Sequence, residues 1–210
     1  MSLLRTSGDI DLFVKGEQID IIRYLQKEEP EIQWDYVHAH YHVYDETEVE
    51  VHYRPCVLYN LIRNRKLQKW FKDNLNEEKL SLDEGEIIVS SSKFNRLFLL
   101  VHAYHHLLNG GIGLRQIMDY YFVVKKQPPT EDEKNEFEDT LRMFGLTRFA
   151  SSIMWIMQEV FGLGNQYLLL KPNAAEGAFL LNEIMEGATS AIMIRDIRKG
   201  IRITVEDYCY

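Results

Sequence analysis

The chemistry of this chain starts with two carboxylates one residue apart, Asp9 and Asp11, in "TSGDIDLF" at residues 6 to 13. On a strand, residues i and i+2 share a face roughly 6.6 Å apart along the chain. Two like charges held that close repel, and partial burial sharpens the conflict. A divalent cation removes it. Hard oxygen donors suit Mg2+, which takes few protein carboxylates and completes its shell from water and phosphate. Ser7 and Gly8 precede the pair and form a small turn where a phosphate can approach the backbone. A third carboxylate, Glu50, stands between Val49 and Val51 in an alternating run. If that strand returns beside the first, three acids converge. They would make a two-ion phosphoryl-transfer site, one ion activating the attacking oxygen and the other steadying the leaving pyrophosphate. The competing reading is a strand end with two solvated aspartates. Glu48 shares the parity of Glu50 and replaces it only if the register slips by two.

Histidines give the second set of candidates. His38, His40 and His42 alternate on one strand, and His52 follows Glu50 by two. Together they suit a zinc or iron site, or they are polar residues on an exposed hairpin face. His52 falls beside the acid cluster, within reach of a phosphate or an acceptor. His102 and His106 have the i,i+4 spacing of a zinc pair but lack the glutamate of His-Glu-x-x-His, which favours packed, hydrogen-bonded histidines. Arg115 follows the Gly110-Gly111-Ile112-Gly113 turn at the start of a helix. There it either pairs with Asp119 or faces an anionic ligand. Arg96 and His102 fit the loose Arg-x5-His spacing of helical ribonuclease domains, a spacing that chance supplies easily.

These residues sit on readable elements. "IDLFV" is a short strand, with Ile10, Leu12 and Val14 expected to face a core. "EQIDIIRYLQKEEP" is an amphipathic helix closed by Pro30. "DYVHAHYHVYD" and "TEVEVHYRP" alternate with period two and predict an antiparallel hairpin. Beyond Tyr59 the pattern turns helical, with "EIIVSS" as one extended interruption. Asn109-Gly110-Gly111, Pro128-Pro129 and Gly145 mark helix ends, and Thr130 with Glu133 forms a capping box. The expected architecture is α+β: a small α/β unit over residues 1–58, then a helical domain over 59–210.

Bulk properties narrow the partners. The 210 residues carry a net charge of −8, which provides no global footprint for nucleic acid, so no DNA partner is expected. Two cysteines, Cys56 and Cys209, are too few and too far apart for a disulfide framework or a thiolate metal site. No apolar stretch approaches the roughly 18 residues of a membrane span, and no secretory signal opens the chain. The expected location is the cytoplasm.

"SGDIDLFV" followed by "VEVHYRP" resembles the nucleotidyltransferase superfamily with its polymerase-β-like palm, marked by an Asp-x-Asp strand and a later single carboxylate between apolar residues. Downstream, "LLVHAYHHLLNGGIGLRQIMDYY" resembles the helical part of an uncharacterised, mainly bacterial nucleotidyltransferase family. There a His-rich helix leads into a Gly-x-Gly-Leu-Arg turn and a helix carrying an aspartate. The resemblance implies a palm-like unit and transfer of a nucleotidyl group from an NTP to an acceptor (small molecule, protein or RNA), with Mg2+ or Mn2+ as cofactor. It implies metal ligation by Asp9, Asp11 and Glu50, with Glu50 as ligand or base, and Ser7, Gly8 and Arg115 beside the nucleotide. The superfamily also places a Gly-Gly or Gly-Ser turn well before its Asp pair. Only eight residues precede Asp9. A truncated palm with impaired turnover is therefore expected, and the alternative functions are a degraded nucleotide-binding or interaction protein and a toxin–antitoxin component.

Overall fold

A computed structural model describes residues 10–44, 47–82 and 85–187. The chain divides into two compact units, Met1–Val57 and Leu58–Tyr210, and together they form a mixed α+β protein. Asp9, Ser7, Gly8 and Cys209 lie outside the described residues.

Among the described residues, the first unit is a four-stranded sheet with one helix. Strand β1 (Ile10–Phe13) leads into α1 (Gln18–Leu25), followed by β2 (Gln33–Trp34), β3 (His38–Tyr44) and β4 (Thr47–His52). The strand order is β1-β4-β3-β2. The β3–β4 hairpin is antiparallel, as the alternation predicts, with a register shift between Tyr41 and Tyr44. It brings β4 back parallel to β1, pairing Ile10 with Val49, Asp11 with Glu50 and Phe13 with His52. Period-two alternation then separates two faces. On one, Ile21, Ile22 and Leu25 of α1 pack with Ala39, Val49 and Val51, joined by Ile32 and Tyr53. The other face carries Asp11, His38, His40, Glu50 and His52.

The core does not extend along β1 as the sequence suggests. Ile10 and Leu12 are 47% and 50% exposed. Of the three residues expected inside, only Val14 packs against the core cluster. The physical reason is the reach of α1: its eight residues supply one short apolar stripe, and the central strands β3 and β4 occupy it.

The second unit is helical, built from α2 (Leu61–Asn74), α3 (Ser92–Asn109), α4 (Leu114–Lys125), α5 (Glu131–Phe144), α6 (Thr147–Phe161) and α7 (Ala174–Gly187). The extended piece near residue 87 is half of an antiparallel ribbon, β5 (Glu77–Leu82) with β6 (Gly85–Ser90). Helix ends follow local rules. The Thr130 hydroxyl accepts from the Glu133 N–H at 3.2 Å, while Glu133 Oε2 accepts from the Thr130 N–H at 2.8 Å. Gly145 ends α5 at φ 71°, a left-handed conformation that favours glycine. Within α7, Gly177 lets α6 approach closely, since a Cβ there would lie 2.7 Å from the Trp155 Cβ.

Candidate functional site

The polar face of the first sheet gathers its ionisable side chains by register. Asp11 on β1 and Glu50 on β4 are direct parallel partners. Beside them, His52 ends β4 and inserts its ring between the two carboxylates. Its Nε2 lies 2.9 Å from Asp11 Oδ1 and 3.2 Å from Glu50 Oε2. The two acids therefore face one common point. His52 is 4% exposed, and the Glu50 side chain 14%.

Burial works against charge on His52, but the hydrogen bonds to Asp11 and Glu50 outweigh it and raise its pKa to about 9. The imidazolium form is thus favoured at neutral pH, supplying positive charge between two carboxylates. The same contact, seen from Glu50, holds that carboxyl below the usual range, chiefly through its hydrogen bond with His52 and against the penalty of burial.

Strand β3 adds a second layer. His38 pairs with His52, and His40 with Glu50, across the hairpin. His38 Nε2 lies 3.5 Å from Glu50 Oε1 and 3.2 Å from His40 Nε2. Burial pushes the His38 pKa down, opposed by the nearby Glu50 and Asp35 charges. The start of β3 is held by Asp35, whose Oδ1 accepts from the Val37 and His38 N–H groups at 2.6 and 2.9 Å. Glu48 turns to the side and meets His40 Nδ1 at 2.5 Å, and His42 Nδ1 meets Glu29 Oε1 at 2.9 Å. Sequence reasoning singled out His52 beside the acids and left His38 and His40 open between a metal site and polar strand residues. The signal available was the alternation of three histidines.

In the second unit, Arg115 is exposed on the first turn of α4. His102 and His106 are mutually hydrogen-bonded through their Nε2 atoms at 2.7 Å, the packed arrangement expected of them. Arg96 is buried, 3.5 Å from Glu133 and 3.4 Å from the Gln127 carbonyl, so it has a structural task within the helical unit. Cys56 is buried, and burial pushes its thiol up to about 12, which leaves it inert as a nucleophile. Among the described residues, no helix is long and apolar enough to cross a membrane.

The chain belongs to a family of uncharacterised nucleotidyltransferases, whose model matches residues 2–162. No curated protein and no solved structure gave a significant match. Membership gives nucleotidyl transfer as the general activity, in a class of enzymes that generally uses divalent metal ions.

Proposed function

We propose that this protein transfers a nucleotidyl group from an NTP to an acceptor hydroxyl in the cytoplasm, at a site formed by Asp9, Asp11 and Glu50. The observation that carries this reading is the parallel pairing of Asp11 with Glu50, with both carboxylates directed at one point occupied by His52 Nε2. When bound, Mg2+ or Mn2+ would neutralise charge on the transferring phosphoryl group and on the attacking oxygen. Asp9, Asp11 and Glu50 are the residues that would hold it. The sequence spacing of Asp9 and Asp11 and the pairing of Asp11 with Glu50 supply oxygen donors of the hard type such ions take.

The chain's own groups have separable tasks. Ser7 and Gly8 would offer backbone N–H groups to the triphosphate. His52 is placed to release its hold on the carboxylates and meet a phosphate or the acceptor, and Glu50 can accept the acceptor's proton. Positioning of the two substrates accounts for most of the rate in this chemistry. The acceptor can be a small molecule, a protein or an RNA.

The test follows transfer of label from an α-labelled NTP to a panel of acceptors, with Mg2+ or Mn2+, in the parent and in Asp11→Asn and Glu50→Gln. Each variant should lose transfer and the stabilisation that Mg-NTP gives in a thermal shift. Mg-NTP binding without transfer to any acceptor would favour a nucleotide-binding protein that no longer turns over. An unchanged thermal shift in Asp11→Asn would remove the site.

A further inference from the structure

Beside the carboxylate pair stands a donor set of different chemistry. His38, Glu50 and His52 each present a ligating atom, and these atoms all lie within 4.8 Å of one another. Glu50 offers one oxygen to each ring: Oε1 is 3.5 Å from His38 Nε2, and Oε2 is 3.2 Å from His52 Nε2. Ligand atoms about 2.0–2.2 Å from a shared tetrahedral ion stand roughly 3.3–3.5 Å apart. The two Glu50–imidazole separations match that but run to different oxygens, and the full set, within 4.8 Å, closes on one ion by a small turn of the carboxylate and rings.

The His52 ring is also held as metal-binding imidazoles usually are. His52 Nδ1 lies 3.2 Å from the Arg54 carbonyl oxygen, a contact that only an N–H at Nδ1 satisfies, which turns Nε2 to the cluster. His38 Nε2 faces Glu50 and His40, while among the described residues its buried Nδ1 makes no hydrogen bond, Asp35 Oδ1 lying 4.0 Å away. Its backbone is fixed at both ends of the residue: Asp35 accepts its N–H, and the Tyr53 hydroxyl donates to its carbonyl at 2.9 Å. The cross-strand pairing of His38 with His52 holds the two rings 4.9 Å apart at their centroids.

We propose that His38, Glu50 and His52 bind one divalent transition-metal ion. Two imidazoles and one carboxylate with open positions suit zinc, manganese, cobalt or iron, whereas Mg2+ prefers oxygen donors throughout. The site shares Glu50 with the transfer site proposed above, but it does not need that site to turn over. It is a mixed nitrogen–oxygen centre next to an all-oxygen one.

The test uses the full chain without any histidine tag, stripped with a chelator, and Co2+ as probe. Equilibrium dialysis and the visible absorption of bound Co2+ should give one ion per chain. Equimolar Zn2+ should displace it, and a large excess of Mg2+ should not. His38→Ala should weaken Co2+ binding by more than about a hundredfold, exceeding the roughly 10–100-fold cost of losing an outer partner of a metal site. His42→Ala, which alters the same strand outside the cluster, should leave it unchanged. His38→Gln, checked for retained circular dichroism, separates ligand loss from misfolding. Absence of bound Co2+ in the parent, equal binding in folded His38→Gln, or ready displacement by Mg2+ would each overturn the proposal. The Mg-NTP thermal shift reads the transfer site separately. A parent that binds Co2+ through His38 but ignores Mg-NTP would support this centre while removing the nucleotide reading.

Discussion

Replacing His52 by glutamine should change stability in a way that depends on pH, with a sign fixed by the geometry. In the folded protein the ring sits between Asp11 and Glu50, and its pKa is about 9 against an ordinary 6.5. A group whose folded pKa is raised stabilises fully below its unfolded pKa, and that contribution disappears as pH rises through the folded value. The window is therefore about pH 6.5 to 9. A shift of roughly 2.5 pH units corresponds to about 3 kcal/mol at the low end of that window. The Asp11 side chain is 34% exposed, so solvent screens part of the interaction, and about 1–3 kcal/mol is the expected range. The lowered pKa of Glu50 is the same contact seen from the other partner and is not added. Urea unfolding of the parent and His52→Gln at pH 6 and pH 9.5 measures the difference directly. The parent should exceed the variant by that amount at pH 6 and by much less at pH 9.5. Equal differences at the two pH values would show that His52 does not carry charge between the acids, and the electrostatic account of the site would fail.

Three other substitutions probe the framework. Ile22→Ala empties a position that is 3% exposed in the core between α1 and the sheet, and should cost about 2–5 kcal/mol in chemical denaturation. Gly177→Ala places a methyl against the Trp155 Cβ, so α6 and α7 must separate. The expected loss is about 1–3 kcal/mol, visible as a lowered Tm. Thr130→Ala removes the acceptor for the Glu133 N–H at the start of α5, and should cost about 0.5–2 kcal/mol by urea unfolding.

The sequence announces the elements more clearly than their neighbours. Alternation in residues 38–52 predicts a hairpin, and the helix-ending glycines and the Thr130 capping box lie where the helices begin and stop. Asp11 and Glu50 were legible as partners because both stand at alternating positions of short apolar strands. His38 was legible only as one of several alternating histidines, because alternation fixes which residues share a face and leaves open which strand lies alongside. Only the register that pairs His38 with His52 turns a polar strand residue into part of a cluster. The exposure of Ile10 and Leu12 was hidden for a related reason: apolar character marks a side as buriable, but the length of α1 decides how far the cover extends. Strand β5, "EEKLSL", carries little strand character of its own and is defined by pairing with β6.

The parallel pairing of β1 with β4 also sets an order of assembly. The β3–β4 hairpin pairs residues as near in the chain as Tyr44 and Thr47, whereas the contact between Asp11 and His52 spans 41 residues. Closing a flexible loop of that length costs about 3 kcal/mol in chain entropy, and non-local pairings of this kind form slowly. Docking of β1 must therefore follow the hairpin and α1, and it brings Asp11 toward Glu50 against their mutual repulsion. A protonated His52 already in place on β4 would ease that last step. Refolding should then slow as pH rises toward 9, and added salt should offset much of the slowing by screening the two carboxylates.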